Sequence, residues 1–246
     1  QLGMIYKKQG KTDKYRESIK LSVQVDGKFF KSREALGLLY AEENNYDQAI
    51  LQIRKAIDLK TDEPRLHLTL GKLLIESDRE EEAVKTFKGA ADLFPEDFSV
   101  QISVADWYFG KGMLSESLQN YKAAEVIDPN NSFLQSKLGQ IYLDKNQDKN
   151  ALNAFEKAIK LNPNDSESHF RLGKLVSAEK KWDRAQSLLS NAVSLNSAHA
   201  PSYYELGKVL LAKGEVDLSI NKFKKSLELS PETPEYLIGL SSALVE

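Results

Sequence analysis

A block of about a dozen residues recurs every 34 residues along this chain. The letters AFEKAIKLNPND occupy residues 154–165, NYKAAEVIDPNN occupies 120–131, and TFKGAADLFPED occupies 86–97. Each block places apolar residues at helical spacing and then reaches a proline, which cannot continue the helix. A fixed period restricts the chain to folds that stack one small unit many times, because length then counts units rather than separate cores.

Three more blocks keep the same register, at 52–63, 188–199 and 222–233. Every block has a bulky residue followed three positions later by a small one. The bulky residues are Ile53, Phe87, Tyr121, Phe155, Leu189 and Phe223, and the small ones are Ala56, Ala90, Ala124, Ala158, Ala192 and Ser226. Two further series of small residues share the period: Gly37, Gly71, Ala105, Gly139, Gly173, Gly207 and Ser241, and Ala49, Ala83, Ser117, Ala151, Ala185 and Ser219. The repeat is therefore genuine.

Small residues at these positions have a physical reason. Each unit contains two runs at helical spacing, joined by a tight turn at residues such as Asn44 or Gly112. Antiparallel helices joined this closely can approach only where their side chains are small. We expect Gly or Ala of the first helix to face Ala or Ser of the second. Replacing Ala151 with Leu should overpack that contact and cost about 1–3 kcal/mol.

Residues 132–165 show the full pattern, which is Leu138, Gly139 and Tyr142, followed by Ala151, Phe155, Ala158 and Pro163. A unit of this length with L-G-x-x-Y and then A, F, A and P resembles the tetratricopeptide repeat. The resemblance implies an all-α fold, a right-handed α-solenoid of helix-turn-helix repeats. It also implies that the first helices line a concave groove and that stability is a sum over units and their interfaces.

The resemblance covers nearly the whole chain as a single array. Full repeats are expected at 30–63, 64–97, 98–131, 132–165, 166–199 and 200–233. Residues 1–29 resemble a degenerate partial repeat, in which Leu2, Gly3 and Tyr6 match but the second helix drifts out of register. Residues 234–246 supply a terminal first helix that is apolar on both sides. We expect this helix to be truncated, or to pack against a missing continuation, another chain or a crystal neighbour.

Composition excludes several classes of function. The 34 basic and 36 acidic residues give a net charge of −2, which is not the basic footprint of a nucleic-acid-binding protein. The chain has no cysteine, so disulfides and thiolate zinc sites are excluded. No apolar run reaches the length of a membrane span. The expectation is a soluble protein, with the cytoplasm favoured over the periplasm, although the lack of cysteine suits either compartment.

No residues combine into a convincing catalytic or metal site. His67 and His169 occupy the same repeat position, three residues before the packed Leu, and are interpreted as packing residues at the helix seam. The chain has no H-E-x-x-H motif, no Ser/His/Asp set and no phosphate-binding loop. The sequence therefore predicts no enzyme, no cofactor and no metal.

The repeat frame predicts which residues face a partner. In each first helix, positions 4, 7, 8 and 11 form the packed stripe, and positions 2, 5, 6, 9, 12 and 13 form the opposite face. The second half of the chain places cations and aromatic rings there, with Phe133 and Phe109 nearby. The candidate partner-binding residues are Lys137, Phe170, Arg171, Lys174, Tyr204 and Lys208. They suggest a peptide with acidic residues or a free carboxylate.

Two known uses of the family do not transfer. The clamp that resembles chaperone-tail receptors needs Asn at position 9, which is absent, and Lys at position 2, where the repeat of Arg171 has Glu167. The Asn ladder at position 6 of the O-GlcNAc transferase array is also absent. No specific member of the family is identified.

The predicted function is a protein–protein interaction scaffold that binds a peptide or partner segment in the concave groove. One alternative is a substrate-recruiting array of a larger enzyme, such as a glycosyltransferase. Another is a scaffold that assembles with itself through the apolar terminal helix.

Overall fold

The computed structural model describes residues 2–246, without the side chains of Leu2, Met4 and Lys7, so the match expected at the Leu2 side chain lies outside the described part. All secondary structure in residues 2–246 is α-helical, as the all-α α-solenoid prediction requires. The chain divides into two compact units, 1–127 and 128–246, which we call the N-terminal unit and the C-terminal unit.

The N-terminal unit contains eight helices within its described residues. They are α1 (Leu2–Lys8), α2 (Thr12–Val25), α3 (Phe30–Glu42), α4 (Tyr46–Leu59), α5 (Pro64–Glu76), α6 (Glu80–Leu93), α7 (Phe98–Gly110) and α8 (Leu114–Ile127). The C-terminal unit contains α9 (Ser132–Asp144), α10 (Asp148–Leu161), α11 (Ser166–Ala178), α12 (Trp182–Leu195), α13 (Ala200–Ala212), α14 (Val216–Leu229) and α15 (Pro234–Val245). From α3 onward, every first helix begins at the first residue of an expected repeat.

A residue in the left-handed conformation reverses the chain between the two helices of each pair. The turn residues with positive φ are Gly10, Asn44, Asp78, Gly112, Asn146, Lys180 and Gly214, and each lies 34 residues from the next. Glycine adopts this conformation without a steric penalty, and Asn and Asp tolerate it better than other residues. Lys180, with φ of 60°, is the least suited of the seven.

The packed glycine of a first helix makes room for the bulky residue of the second. An ideal Cβ built on Gly71 would lie 2.6 Å from Cζ of Phe87, and one on Gly139 would lie 2.6 Å from Cε1 of Phe155. The bulky residue covers the glycine, and the predicted small residue also approaches it, since an ideal Cβ on Gly37 would lie 3.1 Å from the carbonyl oxygen of Ala49. The small residues of the second helix touch the first-helix backbone, as the 2.8 Å hydrogen bond from Ser117 Oγ to the carbonyl of Ala105 illustrates.

The first pair of helices also departs from the prediction. Helix α2 begins and ends 34 residues before α4, so the second helix of residues 1–29 keeps the register of the array. The predicted drift is wrong. The degeneracy lies in single side chains, because Tyr15 occupies the place that Ala49 holds in the next repeat, and Ser18 Oγ, at 2.6 Å, is the atom nearest to an ideal Cβ on Gly3.

Both units are held by apolar layers shared between neighbouring helices. Ile53, Leu74 and Phe87 belong to the core of the N-terminal unit, and Phe155 and Leu189 to that of the C-terminal unit. Each layer joins residues of consecutive repeats, which is the nearest-neighbour stabilisation expected of a repeat array.

Helix α15 packs on one side only. Tyr236 and Gly239 are buried against the preceding pair, whereas Leu237, Ile238 and Leu244 have exposed fractions of 53%, 64% and 62%. Leu244 occupies the repeat position at which Leu210 is only 2% exposed and belongs to the core of the C-terminal unit.

Candidate functional site

A cleft of about 430 Å³ lies between the first helices α9 and α11 in the C-terminal unit. It is lined by Ser132, Phe133, Ser136, Lys137, Gln140, Phe155, Asn162, Asp165, Glu167 and Arg171. The first-helix residues beyond Ser132 occupy repeat positions 2, 5, 6 and 9, which belong to the face expected to meet a partner. Two of the candidate residues, Lys137 and Arg171, are thus brought to one opening.

Ser132 and Ser136 bring hydroxyl groups to the lining of the cleft, and the buried Ser168 contacts Ser136 from behind. Ser168 Oγ lies 3.0 Å from Ser136 Oγ and 2.6 Å from Oδ2 of Asp165. Asp165 also caps α11, because its other carboxylate oxygen accepts the backbone N–H of Ser168. Phe155 is fully buried behind this network, so the cleft has an apolar back and a polar side.

The two cations at the cleft have defined neighbours. The Nζ of Lys137 lies 5.1 Å from the ring centroid of Phe133, a cation–π distance. Phe133 itself is 54% exposed, which is unusual for a large aromatic side chain. Arg171 donates to Glu167 one helical turn earlier, at 2.5 Å between Nε and Oε1. The charge of Arg171 is therefore already compensated within α11.

Phe170 and Tyr204 lie deeper than the sequence frame predicts. The Phe170 ring meets His199 edge-on at 4.8 Å between centroids, and it packs on the apolar core of the C-terminal unit. The Tyr204 ring lies 4.9 Å from Tyr236 and 5.6 Å from Phe223. Position 5 therefore sits at the seam between successive first helices. The aromatic residues there contribute to packing as well as to the surface.

The two remaining candidates lie farther along the same face. Lys208 is paired with the buried Glu205 at 2.9 Å, and its Nζ lies 5.3 Å from the Tyr204 ring centroid. Lys174 is exposed on the next turn of α11 after Arg171. Neither residue lines the cleft.

The candidate residues predicted from the sequence do not include several residues of the cleft. Phe133, which stands at the entrance, is named only as a neighbour, and Ser136, whose small size opens the cleft, is absent from the candidates. A signal was available in the repeat frame, since position 5 carries Leu68 and Ile102 in the preceding repeats and a serine here. Gln140 and Asp165 gave no comparable signal, because polar residues at a helix surface or cap are ordinary.

The histidines contribute to packing. His169 is buried and its Nε2 lies 3.0 Å from the carbonyl oxygen of Pro163, and His67 makes the matching 3.1 Å contact with Thr61. In residues 2–246, with three side chains undescribed, no group of His, Asp and Glu is arranged to hold a metal ion. In the same described part, no helix has both the length and the apolar character needed to cross a membrane.

Comparison with known families agrees with the geometry. Models described as tetratricopeptide repeat match residues 40–105 and 174–234, and a model described as TPR repeat matches residues 139–180. Together they cover more than half of the chain. The chain belongs to the tetratricopeptide-repeat (TPR) family. No curated protein matches its sequence.

Solved structures share this fold at low sequence identity. The C-terminal part of a TPR repeat-containing protein from Cytophaga hutchinsonii aligns with a TM-score of 0.74 and 15% identity, covering 97% of this chain and 98% of that one. PilF of Pseudomonas aeruginosa gives 0.69 and 19%, covering 87% and 97%. YrrB, described as a TPR protein with an unusual peptide-binding site, gives 0.64 and 22%, covering 76% and 96%. At these identities the likeness establishes the fold, and the TPR architecture supports a protein-interaction scaffold in general terms.

Proposed function

We propose that the chain is an interaction scaffold that binds a peptide segment of a partner protein in the cleft between α9 and α11. The observation that carries this proposal is the cleft itself, with an exposed Phe133 at its entrance and the buried Phe155 behind it. An exposed aromatic side chain beside a concave opening is a typical anchor for a partner side chain.

The chemistry of the lining favours a peptide with one apolar side chain and a neighbouring carboxylate. The apolar side chain would enter beside Phe133 and Ser136. The carboxylate would face Lys137 and the exposed Lys174, while Arg171, held by Glu167, shapes the wall. The same face continues from α11 toward α13 and carries Phe170, Tyr204 and Lys208. Rim ion pairs contribute about 0–1 kcal/mol each, so the apolar anchor should dominate affinity.

Selection of peptides from a random library on the full chain supplies a probe without assuming a partner. The affinity of a selected peptide is then measured for the wild-type chain, for Ser136→Leu and for Phe133→Ala. Both substitutions should weaken binding by about tenfold or more, because one fills the cleft and the other removes its anchor. Thr69→Leu, one residue after the position equivalent to Ser136, is a control on a first helix of the N-terminal unit and should leave binding unchanged.

Selected peptides that bind Ser136→Leu and Phe133→Ala as tightly as the wild type would contradict the proposed site. The carboxylate preference is tested separately by replacing acidic residues of the peptide with their amides. The expected loss is a few-fold and shrinks at high salt.

A second candidate function, self-association, is favoured by the exposed face of α15. Leu237 and Leu244 are 53% and 62% exposed, and their spacing of seven residues places them on one face of α15. We propose that two copies pair their α15 helices in antiparallel fashion, with Ser241 near the centre. Sedimentation over a range of concentrations should show a dimer that Leu244→Glu abolishes. A concentration-independent monomer would refute this candidate and leave the peptide site unaffected.

A further inference from the structure

A second groove, of about 730 Å³, lies on the other side of the repeats, in the N-terminal unit. Its walls are the second helices α4 and α6, and its floor comes from α5. The lining residues are Arg54, Ile57, Asp58, His67, Leu70, Lys85, Thr86, Gly89, Asp92 and Leu93. None of the residues assigned to the peptide cleft contributes to it.

Two small residues on α6, Thr86 and Gly89, explain why the groove is open. An ideal Cβ on Gly89 would meet nothing within 4 Å, and Thr86 turns its hydroxyl back to the carbonyl of Glu82. The equivalent residues in the C-terminal unit are Leu188 and Asn191. Leu188 packs against the core there, with its Cβ 3.3 Å from an ideal Cβ on Gly173. A leucine thus fills in one unit the space that threonine and glycine leave open in the other.

The groove has an apolar middle. Ile57 and Leu70 form it, and Leu93, which is 54% exposed, extends it. His67 is fixed at the floor by its edge-on contact with Phe94, at 5.2 Å between centroids. A surface of this kind gains free energy when an apolar partner covers it.

Charges are distributed unequally along the groove. Each short connection reverses the chain, so α4 and α6 run in the same direction. On both walls the basic residue comes first, Arg54 on α4 and Lys85 on α6, and an aspartate follows, Asp58 and Asp92. The groove therefore has a basic end and an acidic end, and the carboxyl ends of the two helices reinforce the acidic one.

The basic end is partly compensated. Arg54 is paired with Glu82 at 2.7 Å, and Glu82 also accepts from Arg79. The hydrogen bonds from Arg79 and then from Arg54 lower the pKa of Glu82, so it stays ionised. Lys85 is exposed on the opposite wall and leaves this end with a net positive charge.

We infer that this groove binds an amphipathic helix of a partner protein, running antiparallel to α4 and α6, with its basic amino end beside Asp58 and Asp92 and its acidic carboxyl end beside Lys85. Charge complementarity fixes the direction. The walls are intact helices, whose backbone groups are already paired, so an extended peptide would leave its own N–H and C=O groups unsatisfied over the apolar floor. A helix satisfies them internally.

The probe is a synthetic helical peptide, stapled on its solvent face, with leucines at i, i+4 and i+7, lysines in the first turn and glutamates in the last. A second peptide has the lysines and glutamates exchanged. Fluorescence anisotropy with the full chain should show the first peptide binding about tenfold more tightly than the second at low salt, with the difference falling at high salt. Equal binding of the two peptides, or no binding of either, would overturn the inference.

Gly89→Leu tests the place of binding. The site has room for the side chain, and leucine favours the helix more than glycine. The first peptide should bind this variant at least about tenfold more weakly, and circular dichroism should show unchanged helicity. Asn191→Leu, at the same repeat position in the C-terminal unit, is the matched control and should bind as the wild type does. Wild-type affinity for Gly89→Leu, or equal affinity for an unstapled peptide with a central proline, would also overturn the inference.

Discussion

The N-terminal and C-terminal units pack their helices in the same way, but their openings lie between different helices of the repeat. In the C-terminal unit the opening lies between first helices, where Ser136 stands at position 5. In the N-terminal unit Leu68 occupies that position and is buried. The opening there lies between second helices, where Thr86 and Gly89 replace the larger Leu188 and Asn191 of the other unit. Side-chain size at a few variable positions therefore decides which side of a repeat can accept a partner.

The largest expected effect tests whether the packing scheme is truly shared. Phe87→Ala and Phe155→Ala each remove a ring that fills the space above a glycine, so each should cost about 3–5 kcal/mol. Hydrogen exchange is the suitable measurement, because repeat arrays need not unfold in one step. Protection should fall mainly in the unit that carries the substitution. A loss below about 1 kcal/mol for only one of the two would show that the units are packed differently.

The next effect concerns the residue that closes the first-helix side of the N-terminal unit. Leu68→Ala should cost about 2–5 kcal/mol, since Leu68 is only 8% exposed. Ser136→Ala, at the same position in the C-terminal unit, should cost about 1 kcal/mol through loss of its contact with Ser168. Thermal and denaturant unfolding of both variants give the comparison. Equal losses would mean that position 5 plays the same role in both units.

A smaller effect is expected at the left-handed turn. Lys180→Gly should stabilise the C-terminal unit by about 0.5–1 kcal/mol, because lysine pays for its positive φ and glycine does not. Gly112→Ala, at the same position in the N-terminal unit, should destabilise by a similar amount. Differential scanning calorimetry would show opposite shifts in Tm. Shifts of the same sign would refute the assignment of a common turn.

The smallest effect is expected for ion pairs between successive second helices. Arg54 pairs with Glu82 in the N-terminal unit, and Glu156 pairs with Arg184 across the same two repeat positions in the C-terminal unit, with the charges exchanged. Both pairs are largely exposed, so Arg54→Ala and Arg184→Ala should each cost about 0–1 kcal/mol, and less at high salt. A cost above about 2 kcal/mol, insensitive to salt, would indicate that the pairs organise the stacking.

The sequence predicts the helices well because the repeat specifies them many times over. The first helices from α3 onward start where the period places them, and the small residues lie where two helices meet. The site was predicted less well. The repeat frame assigns position 5 to the surface. Phe170 and Tyr204, however, lie where two first helices meet, and how deeply they are buried there depends on the neighbouring helix. A single repeat frame gives the direction of a side chain but not the size of what stands opposite it.

The openings themselves were the hardest feature to foresee. Each opening exists because the residues beside it are small, Ser136 in one unit and Thr86 and Gly89 in the other. Charged and aromatic side chains mark a binding surface in a sequence, so the sequence predicts Lys137 and Arg171 but not Ser136. The second-helix side gave no signal at all, because the family resemblance directs attention to the concave face.

The central claim is that the cleft between α9 and α11 receives a peptide. Its most direct test is hydrogen–deuterium exchange of the full chain with and without a library-selected peptide at saturating concentration. We predict added protection in α9 and α11 of the wild-type chain, and no added protection in Ser136→Leu. Protection confined to α10 and α12, or to the N-terminal unit, would contradict it.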